Sequence, residues 1–360
     1  MITTSTSIIK KLIVLFFIFV LLHYGKDFLM PLAIGGVLAT LFLPLCRWME
    51  EKNIPKGLAA LTCLLLLLLA ITSLITLLSW EISELSNDFL LIKQKAIDIG
   101  DSVQEYIFNH LGISIEKQSQ LLKDEQPSIT GIMQKIGSSF SHILTNFILV
   151  LAYVFLFLYY RSHIHHFILK LAGNSQQQQT VKIVSSASLV SQQYLLGLTK
   201  VIICLWILYG IAFSLLGIKN AIFFAILCGL LHIIPFIGNI IGTSLTVLVA
   251  TIQGASLPII GGIVATYAII QFIEGWVLEP LVLGHQVKIN PLFTIIALVL
   301  GELLWGISGI FLAIPITAMI KTVCDYVPFL KPYGFLIGEI EKEKKELLLV
   351  KKVKDLYKKT

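Results

Sequence analysis

Residues 57–80 form an uncharged apolar run whose middle is almost entirely leucine. A helix of this length crosses about 30 Å of hydrocarbon. The chain contains several similar runs. It is 56% hydrophobic and 13% charged, whereas soluble domains carry about 25% charged residues. The sequence therefore predicts an all-α polytopic membrane protein with the lipid bilayer as its main partner.

The apolar runs predict about eight membrane segments, namely residues 8–24, 28–46, 57–80, 140–160, 201–217, 222–252, 258–278 and 291–320. They divide the chain into three N-terminal membrane helices (1–80), an extramembrane amphipathic helical insert (81–139), a membrane helix (140–160), a cytoplasmic helical section (161–200), a transport core with two broken hairpins (201–322) and a charged cytoplasmic tail (323–360). Lys10 and Lys11 lie at the start of the first run and no small-residue cleavage site follows the run, so we interpret it as an uncleaved membrane helix.

Basic residues set the expected orientation. The loop 47–56, the section 161–200 and the tail are rich in Lys and Arg, which favours the cytoplasmic side for them and for both termini. The acidic insert 81–139 then lies outside. The net charge of +6 reflects these loops and the tail, and it gives no reason to expect a nucleic-acid partner.

Two apolar segments are interrupted. Residues 222–252 contain Pro235 and Gly238, and residues 291–320 are broken around Glu302 and between Gly306 and Gly309. Each half is shorter than the roughly 20 residues that a span needs. The number of crossings requires the first segment to begin and end outside and the second inside. This arrangement predicts two hairpins of opposite direction and a possible inverted repeat, as in many secondary transporters. The alternative at Pro235 is a proline kink that closes a tight helical hairpin.

Polar residues in the apolar spans mark candidate sites, because ionisable groups at membrane depth usually belong to a pathway or a pair. Glu274 lies one helical turn after Gln271, and Glu302 lies at the second break. Our hypothesis assigns proton or cation coupling to these two glutamates. For two further residues the structural interpretation is favoured over a site: Glu279 as an interfacial residue and His232 as a packing residue. For Asn239 the alternative to a site is a cap of the helix after the break.

Enzyme signatures are absent from the sequence. The chain contains no GxxxxGK[ST], HExxH or GxSxG motif, and we predict no enzymatic activity and no cofactor. The five cysteines form no CxxC pair and are interpreted as packing residues, with no metal site. The histidines in RSHIHHF at 161–167 could bind a metal, but a basic cluster facing lipid headgroups is the favoured interpretation.

Three blocks of the C-terminal half resemble the autoinducer-2 exporter family of bacterial membrane proteins. They are PFIG with the following Gly242, QFIEGWVLEPLVLGHQVKINPL, and GISGIFLAIPITAMIK. We predict that the substrate path lies between the two broken hairpins and comprises Pro235, Gly238, Asn239, Gly242, Gln271, Gly306, Gly309 and Pro315. The structural hinges are Pro280, Gly284 and Pro291. The chain departs from the family pattern at Asn239, where proline is frequent, and at Asn290, where histidine is frequent.

The resemblance implies a transporter of the bacterial inner membrane that assembles as a homo-oligomer. Family members are associated with export of the quorum-sensing signal autoinducer-2, and some with sodium–proton exchange. The sequence therefore favours a secondary transporter, an efflux system or antiporter, that exports a small polar solute or a cation using a proton or sodium gradient. The alternatives are an oligomeric channel or passive pore, and a membrane scaffold or sensor.

Overall fold

The computed structural model describes residues 2–87, 104–105, 107–110, 114, 129–173, 176–234, 237–283 and 288–339. These residues are almost entirely helical, and one isolated antiparallel bridge joins Ile289 to Gly338. The helices are α1 (Ile2–Tyr24), α2 (Lys26–Glu51), α3 (Lys56–Asn87), α4 (Ile129–Leu171), α5 (Gln177–Leu215), α6 (Ala221–Leu231), α7 (Ile237–Ile252), α8 (Leu257–Ile273), a π-helix (Glu274–Leu283), α9 (Pro291–Tyr326), a 3₁₀ turn (Pro328–Leu330) and α10 (Lys331–Ile337).

Six stretches of helix in the described part of the chain are long and apolar enough to cross a membrane. They are Lys26–Glu51, Lys56–Trp80, Ile143–Leu171, Gln177–Leu215, Leu257–Val282 and Pro291–Tyr326. Large apolar side chains are exposed along them, for example Leu69 on α3 and Ile211 on α5. A soluble protein would bury such surfaces, whereas lipid solvates them. The chain is therefore an all-α, multi-pass membrane protein, as the sequence predicts.

The N-terminal helices α2, α3 and α4 pack around small side chains. Cys46 of α2 and Cys63 of α3 are completely buried together with Val154 of α4. Gly35 lies so close to Tyr153 that a Cβ atom at this position would collide with the tyrosine side chain. An ion pair between Glu50 and the Arg161 guanidinium closes the same bundle at one end. Small residues and close backbone approach are the usual means by which helices associate in lipid.

A second core joins α5 to the helices that follow it. Helix α5 contributes Leu205, Tyr209 and Phe213, which pack with Phe224 of α6 and Ile263 of α8. All five side chains are completely or almost completely buried. A third cluster connects this core to the N-terminal bundle through the buried side chains of Val37, Leu195, Leu198 and Leu312. Helix α5 is therefore the central element on which the site described below is built.

Helices α5 and α8 run antiparallel. Leu216, just after α5, contacts Gly262 near the start of α8. At the opposite end, Tyr194 of α5 interacts electrostatically with Glu279 of the π-helix. We call the first end, at Leu216 and Gly262, end A, and the second, at Tyr194 and Glu279, end B.

Hairpin 1 consists of α6 and α7 and belongs to end A. It follows Leu216 and leads into α8, whose first turns lie beside Leu216. Helix α6 has 11 residues and α7 has 16, so they measure about 17 and 24 Å, less than the roughly 30 Å of the hydrocarbon core. The chain reverses between Leu231 and Ile237. Pro235, which the sequence analysis places at this break, is outside the described residues.

Hairpin 2 is contained within α9 and belongs to end B. Its backbone leaves the helical conformation at Trp305 and Gly306, and Gly306 has a φ of +60°. The first half, 291–304, therefore folds back on the second half, 307–326. The hairpin begins beside Gly338, through the bond from the Asn290 amide to the Ile337 carbonyl at 2.9 Å. It ends at Tyr326, whose carbonyl accepts a bond from Gln179 in the first turn of α5 at 2.6 Å.

The order of elements in the second half of the chain thus repeats. A long helix, α5 or α8 with its π-helix, is followed each time by a hairpin. Because α5 and α8 are antiparallel, the two hairpins extend from opposite ends of the bundle. The predicted reversal in the second segment lies at residues 305–306. Most of the insert 81–139 and the tail from residue 340, with its predicted apolar stripe at Leu348, Val353 and Leu356, lie outside the described residues.

Candidate functional site

The tip of hairpin 1 carries a cluster of buried polar side chains. His232 follows the last residue of α6, and Asn239 lies in the first turn of α7. They face Gln271 of α8 and Glu274, the first residue of the π-helix. Three helical elements and one chain reversal therefore bring these four side chains together in the apolar interior.

Hydrogen bonds connect all four members of this polar cluster. Asn239 Nδ2 donates to Glu274 Oε2 at 2.9 Å and to Gln271 Oε1 at 3.1 Å. His232 Nδ1 lies 3.2 Å from Glu274 Oε1 and 3.4 Å from Asn239 Nδ2. An ionised carboxylate only accepts hydrogen bonds. The hydrogen bond of His232 joins its Nδ1 to Asn239 Nδ2, an amide nitrogen that only donates, so Nδ1 accepts in this bond. Glu274 accepts from Asn239 and has the imidazole of His232 as a close neighbour.

Three side chains of the polar cluster are almost completely buried, and removing polar groups from water costs free energy. Asn239 is 1% exposed, Glu274 3% and His232 7%. A buried charge without partners is far more costly than a buried apolar group, so such groups persist where hydrogen bonds and opposite charges compensate them. The Asn239 amide bonds side chains of another helical element rather than capping α7, and His232 pairs with a carboxylate. For both residues the geometry favours a role in the site over the structural interpretations.

Two buried hydroxyl groups extend the polar surface beyond the cluster. Thr243 lies one helical turn after Asn239 on α7, and Tyr209 of α5 interacts electrostatically with Glu274. Neither residue is among the site residues predicted from the sequence. The available signal was the spacing of Asn239 and Thr243, which puts two polar side chains on the same face of an apolar helix. No sequence signal connected Tyr209 to them, because this proximity depends on the tertiary arrangement of helices that are separate in the chain.

Glycines allow the two helices of hairpin 1 to approach closely. A Cβ atom at Gly238 would collide with the Leu231 carbonyl, and one at Gly242 would lie 2.8 Å from Cys228 Sγ. Both glycines belong to the predicted substrate path. In the structure they hold α6 against α7, and this contact positions His232 and Asn239 at the tip.

The helix that carries Glu274 changes geometry at that residue. Helix α8 ends at Ile273, and the following ten residues are π-helical and include Pro280. Short π-helical segments inside α-helices are often found at functional sites, and proline removes one backbone donor from a helix. Pro280, a predicted hinge, thus lies inside this π-helical segment. The predicted hinge at Gly284 lies outside the described residues.

The predicted site residues of hairpin 2 lie apart from the polar cluster. Gly306 provides the reversal, Gly309 packs against Gly301, and Pro315 is fully buried. Glu302 is exposed on the first half of the hairpin. Among the described residues, no hydrogen bond or ion pair joins Glu302 to the cluster around Glu274. The structure therefore brings together Asn239, Gln271 and Glu274 of the predicted set, but not Glu302.

Asn290 and Pro291 lie at the start of hairpin 2. Asn290 Oδ1 accepts a bond from the Phe293 amide at 2.9 Å and caps α9. Its Nδ2 donates to the carbonyls of Leu336 at 2.8 Å and Gly338 at 3.0 Å. Pro291 occupies the first helical position, where its missing N–H costs nothing. These two residues anchor hairpin 2 at end B.

One known protein family matches the whole region that contains both hairpins. The model of a family described as "AI-2E family transporter" matches residues 12–329. The chain belongs to the AI-2E transporter family. YrrI of Bacillus subtilis (strain 168) is 23% identical over 83% of the chain and 86% of its own length. YueF of the same strain is 28% identical over 81% of the chain and 82% of its own length.

A third relative carries a more specific name. The AI-2 transport protein TqsA of Escherichia coli (strain K12) is 20% identical over 89% of the chain and 92% of its own length. The AI-2E match includes all four members of the polar cluster and both reversals. Membership in a transporter family agrees with a membrane transport function for the chain.

Proposed function

We propose that this protein is a secondary transporter of the bacterial inner membrane that exports a small polar solute or a cation, driven by a proton or sodium gradient. The observation that supports it is the buried Glu274 carboxylate, which accepts a hydrogen bond from Asn239 and lies 3.2 Å from His232 Nδ1 at the tip of hairpin 1. In this proposal both termini are cytoplasmic and the protein works as a homo-oligomer.

The Glu274–His232 pair has the chemistry that ion coupling requires. A proton between a carboxylate and an imidazole can be held by either group, and a cation can take the place of that proton beside the carboxylate. Since intramembrane ionisable residues commonly mark ion pathways, Glu274 is the coupling residue in this proposal. Asn239 and Gln271 keep its carboxylate oriented while the ion is exchanged.

Alternating access requires a binding site that opens first to one side of the membrane and then to the other. Hairpins 1 and 2 extend from opposite ends of the bundle, and both reverse the chain without a full extramembrane loop. In many secondary transporters, broken helices of this kind line the substrate site. Movement of the hairpins relative to α5 would then open the polar cluster to one side at a time.

The exported solute in this proposal is a small polar molecule. The name of TqsA indicates autoinducer-2 as the first compound to test. Amide and hydroxyl groups near the cluster, from Asn239, Gln271 and Thr243, are suited to hydrogen bonding with the hydroxyl groups of such a solute.

Transport assays in liposomes test this function. Purified full-length protein is reconstituted, a proton or a sodium gradient is imposed, and the movement of ions and of autoinducer-2 is followed. We expect flux that depends on at least one gradient and is lost in Glu274→Gln. The matched control is Glu51→Gln, since Glu51 is exposed at the end of α2. It should transport like the wild type.

Other outcomes contradict the proposal in distinct ways. Flux that ignores both gradients indicates a passive pore, and the absence of any flux with a fully folded protein indicates a scaffold or sensor. Gradient-driven flux that persists in Glu274→Gln removes this residue from coupling. The variant Glu302→Gln is assayed in parallel, and unchanged transport removes the second predicted glutamate from the mechanism.

A further inference from the structure

Two buried thiols meet near one end of the N-terminal bundle, between α2 and α3. Cys46 and Cys63 are completely buried, and the Cys63 thiol is hydrogen-bonded to that of Cys46. Cys63 Sγ also lies 3.9 Å from the carbonyl oxygen of Phe42, which precedes Cys46 by one turn on the same face of α2. All five cysteines of the chain are free. The packing therefore places two reduced thiols of different helices within reach of each other.

Cys46 also has two charged neighbours. Arg161 Nη1 donates to Cys46 Sγ at 3.0 Å. The Cys46 thiol in turn donates to Glu50 Oε1 at 3.8 Å, and Glu50 and Arg161 form an ion pair with each other. The sulfur thus has a carboxylate that can accept its proton and a guanidinium that can stabilise negative charge on it. A thiol that only fills space between helices requires neither group.

The ion pair also connects the buried thiols to the outside of the bundle. The side chains of Arg161 and Glu50 are 20% and 19% exposed, whereas both thiols are completely buried. A small neutral molecule that enters beside the ion pair meets Cys46 first, because this thiol contacts both charged groups. We call these four residues the thiol site, namely Cys46, Glu50, Cys63 and Arg161.

We propose that the thiol site reacts with hydrogen peroxide and forms a disulfide between Cys46 and Cys63. In the first step Glu50 accepts the thiol proton of Cys46, and the sulfur attacks the O–O bond of the peroxide. That bond breaks, one oxygen remains on the sulfur as a sulfenic acid, and the other leaves as water with the proton from Glu50. In the second step the Cys63 thiol displaces the sulfenic hydroxyl, which leaves as a second water. One peroxide is reduced and two thiols are oxidised.

The product would link α2 to α3 reversibly. In the orientation proposed above, the loop 47–56 faces the cytoplasm, where thiol reductants return disulfides to thiols. The disulfide would then restrain the N-terminal bundle only while peroxide is present. The thiol site involves none of the residues of the polar cluster, so it stands or fails independently of the transport function.

Mass spectrometry of the purified full-length protein in detergent tests the reaction. Reduced protein is treated with hydrogen peroxide, the remaining thiols are alkylated, and the peptide that joins Cys46 to Cys63 is quantified. We expect this disulfide to form and a thiol reductant to reverse it. Cys228 is the internal control, because it is equally buried but its neighbour at 4.0 Å is the Thr246 hydroxyl instead of a charged group. It should stay reduced.

Serine variants test the order of the two steps. In Cys63→Ser the reaction should stop at the sulfenic acid of Cys46, which the cyclic 1,3-diketone dimedone labels at that residue. Cys46→Ser should give neither this label nor the disulfide. Serine is close to cysteine in size, so both variants should fold, and thermal unfolding in detergent checks this.

Two further variants test the charged neighbours. We expect Arg161→Gln to slow disulfide formation at least about tenfold, because a charge-assisted hydrogen bond to the reacting sulfur is lost. Glu50→Gln removes the proton acceptor but keeps an oxygen beside Arg161, and it should slow the reaction as well. The matched control is Arg47→Gln, which removes the same charge from an exposed side chain next to Cys46. It should react like the wild type.

Each outcome decides for or against the thiol site. If Cys46 and Cys63 stay reduced in peroxide, or oxidise no faster than Cys228, the proposal is overturned and the two thiols serve packing alone. Dimedone labelling of Cys63 in Cys46→Ser overturns the proposed order of the steps. Equal rates in Arg161→Gln and Arg47→Gln overturn the assignment of Arg161.

Discussion

Gly309 packs directly against the backbone of Gly301, so that a Cβ atom on either residue would collide with the carbonyl group of the other. In a continuous α-helix, residues at this sequence separation lie about 12 Å apart. The contact therefore shows that the last long apolar segment is a closed hairpin rather than one membrane-crossing helix. Gly306, with a φ of +60°, provides the reversal between them.

Substitution of Gly309 by alanine should destabilise the protein. The added methyl group meets the Gly301 backbone, which cannot move away without separating the two halves of hairpin 2. We expect a loss of about 1–3 kcal/mol in the free energy of unfolding, measured by thermal or chemical unfolding in detergent. Gly261→Ala on α8 is the control, because a Cβ atom there meets open space. A wild-type stability for Gly309→Ala would contradict the observed packing.

The His232–Glu274 pair should be energetically coupled. In a double-mutant cycle with His232→Asn and Glu274→Gln, we expect an interaction energy of about 1–3 kcal/mol, because His232 Nδ1 and Glu274 Oε1 lie 3.2 Å apart in an apolar interior. Unfolding in detergent measures each corner of the cycle. The control cycle combines Glu274→Gln with Ser191→Ala, whose hydroxyl lies 3.2 Å from that of Thr40 instead. Additive effects in the first cycle would show that the pair contributes nothing.

Asn290 should stabilise hairpin 2 through both ends of its amide. Asn290→Ala removes the cap of α9 and the two bonds to the carbonyls of Leu336 and Gly338. We expect it to reduce the free energy of unfolding by about 1–2 kcal/mol. Asn290→Asp keeps the capping oxygen and loses the two donated bonds, so its stability should lie between alanine and wild type. Equal stabilities for both variants would indicate that capping is unimportant there.

Labelling from the two sides of the membrane should distinguish end A from end B. In a variant without native cysteines, single cysteines replace the exposed Ser256 at end A and Lys331 at end B. We expect a membrane-impermeant maleimide to label Ser256→Cys in intact cells and Lys331→Cys only in inverted vesicles, since basic residues favour the cytoplasm. Labelling of both from one side would contradict the opposite direction of the hairpins.

Much of this architecture can be predicted from the sequence. Runs of apolar residues indicate membrane helices wherever they occur, because the cost of an unpaired backbone in lipid leaves no other structure. The two interrupted segments indicate hairpins for the same reason. Gln271 and Glu274 could be identified as candidate residues, since polar groups inside apolar runs stand out by composition alone.

The partners of those residues could not be predicted. Glu302 and Glu274 look alike in sequence, because both are acidic groups in apolar surroundings. In the structure one is exposed, and the other is enclosed by His232 and Asn239. Nothing in the local sequence distinguishes them, since the difference lies in which helix packs on each.

The sequence by itself determined the all-α class, the membrane segments and the two breaks, because these follow from local hydrophobicity and from the backbone limits of proline and glycine. Only the tertiary structure decided that His232 and Asn239 enclose Glu274. Their proximity arises from the packing of hairpin 1 against α8 and the π-helix, whose residues are far apart from theirs in the chain. In a membrane interior most helix surfaces are apolar, so hydrophobicity alone does not determine how two helices align. Close glycine contacts, such as that of Gly242 with Cys228, fix the register of one helix against the other.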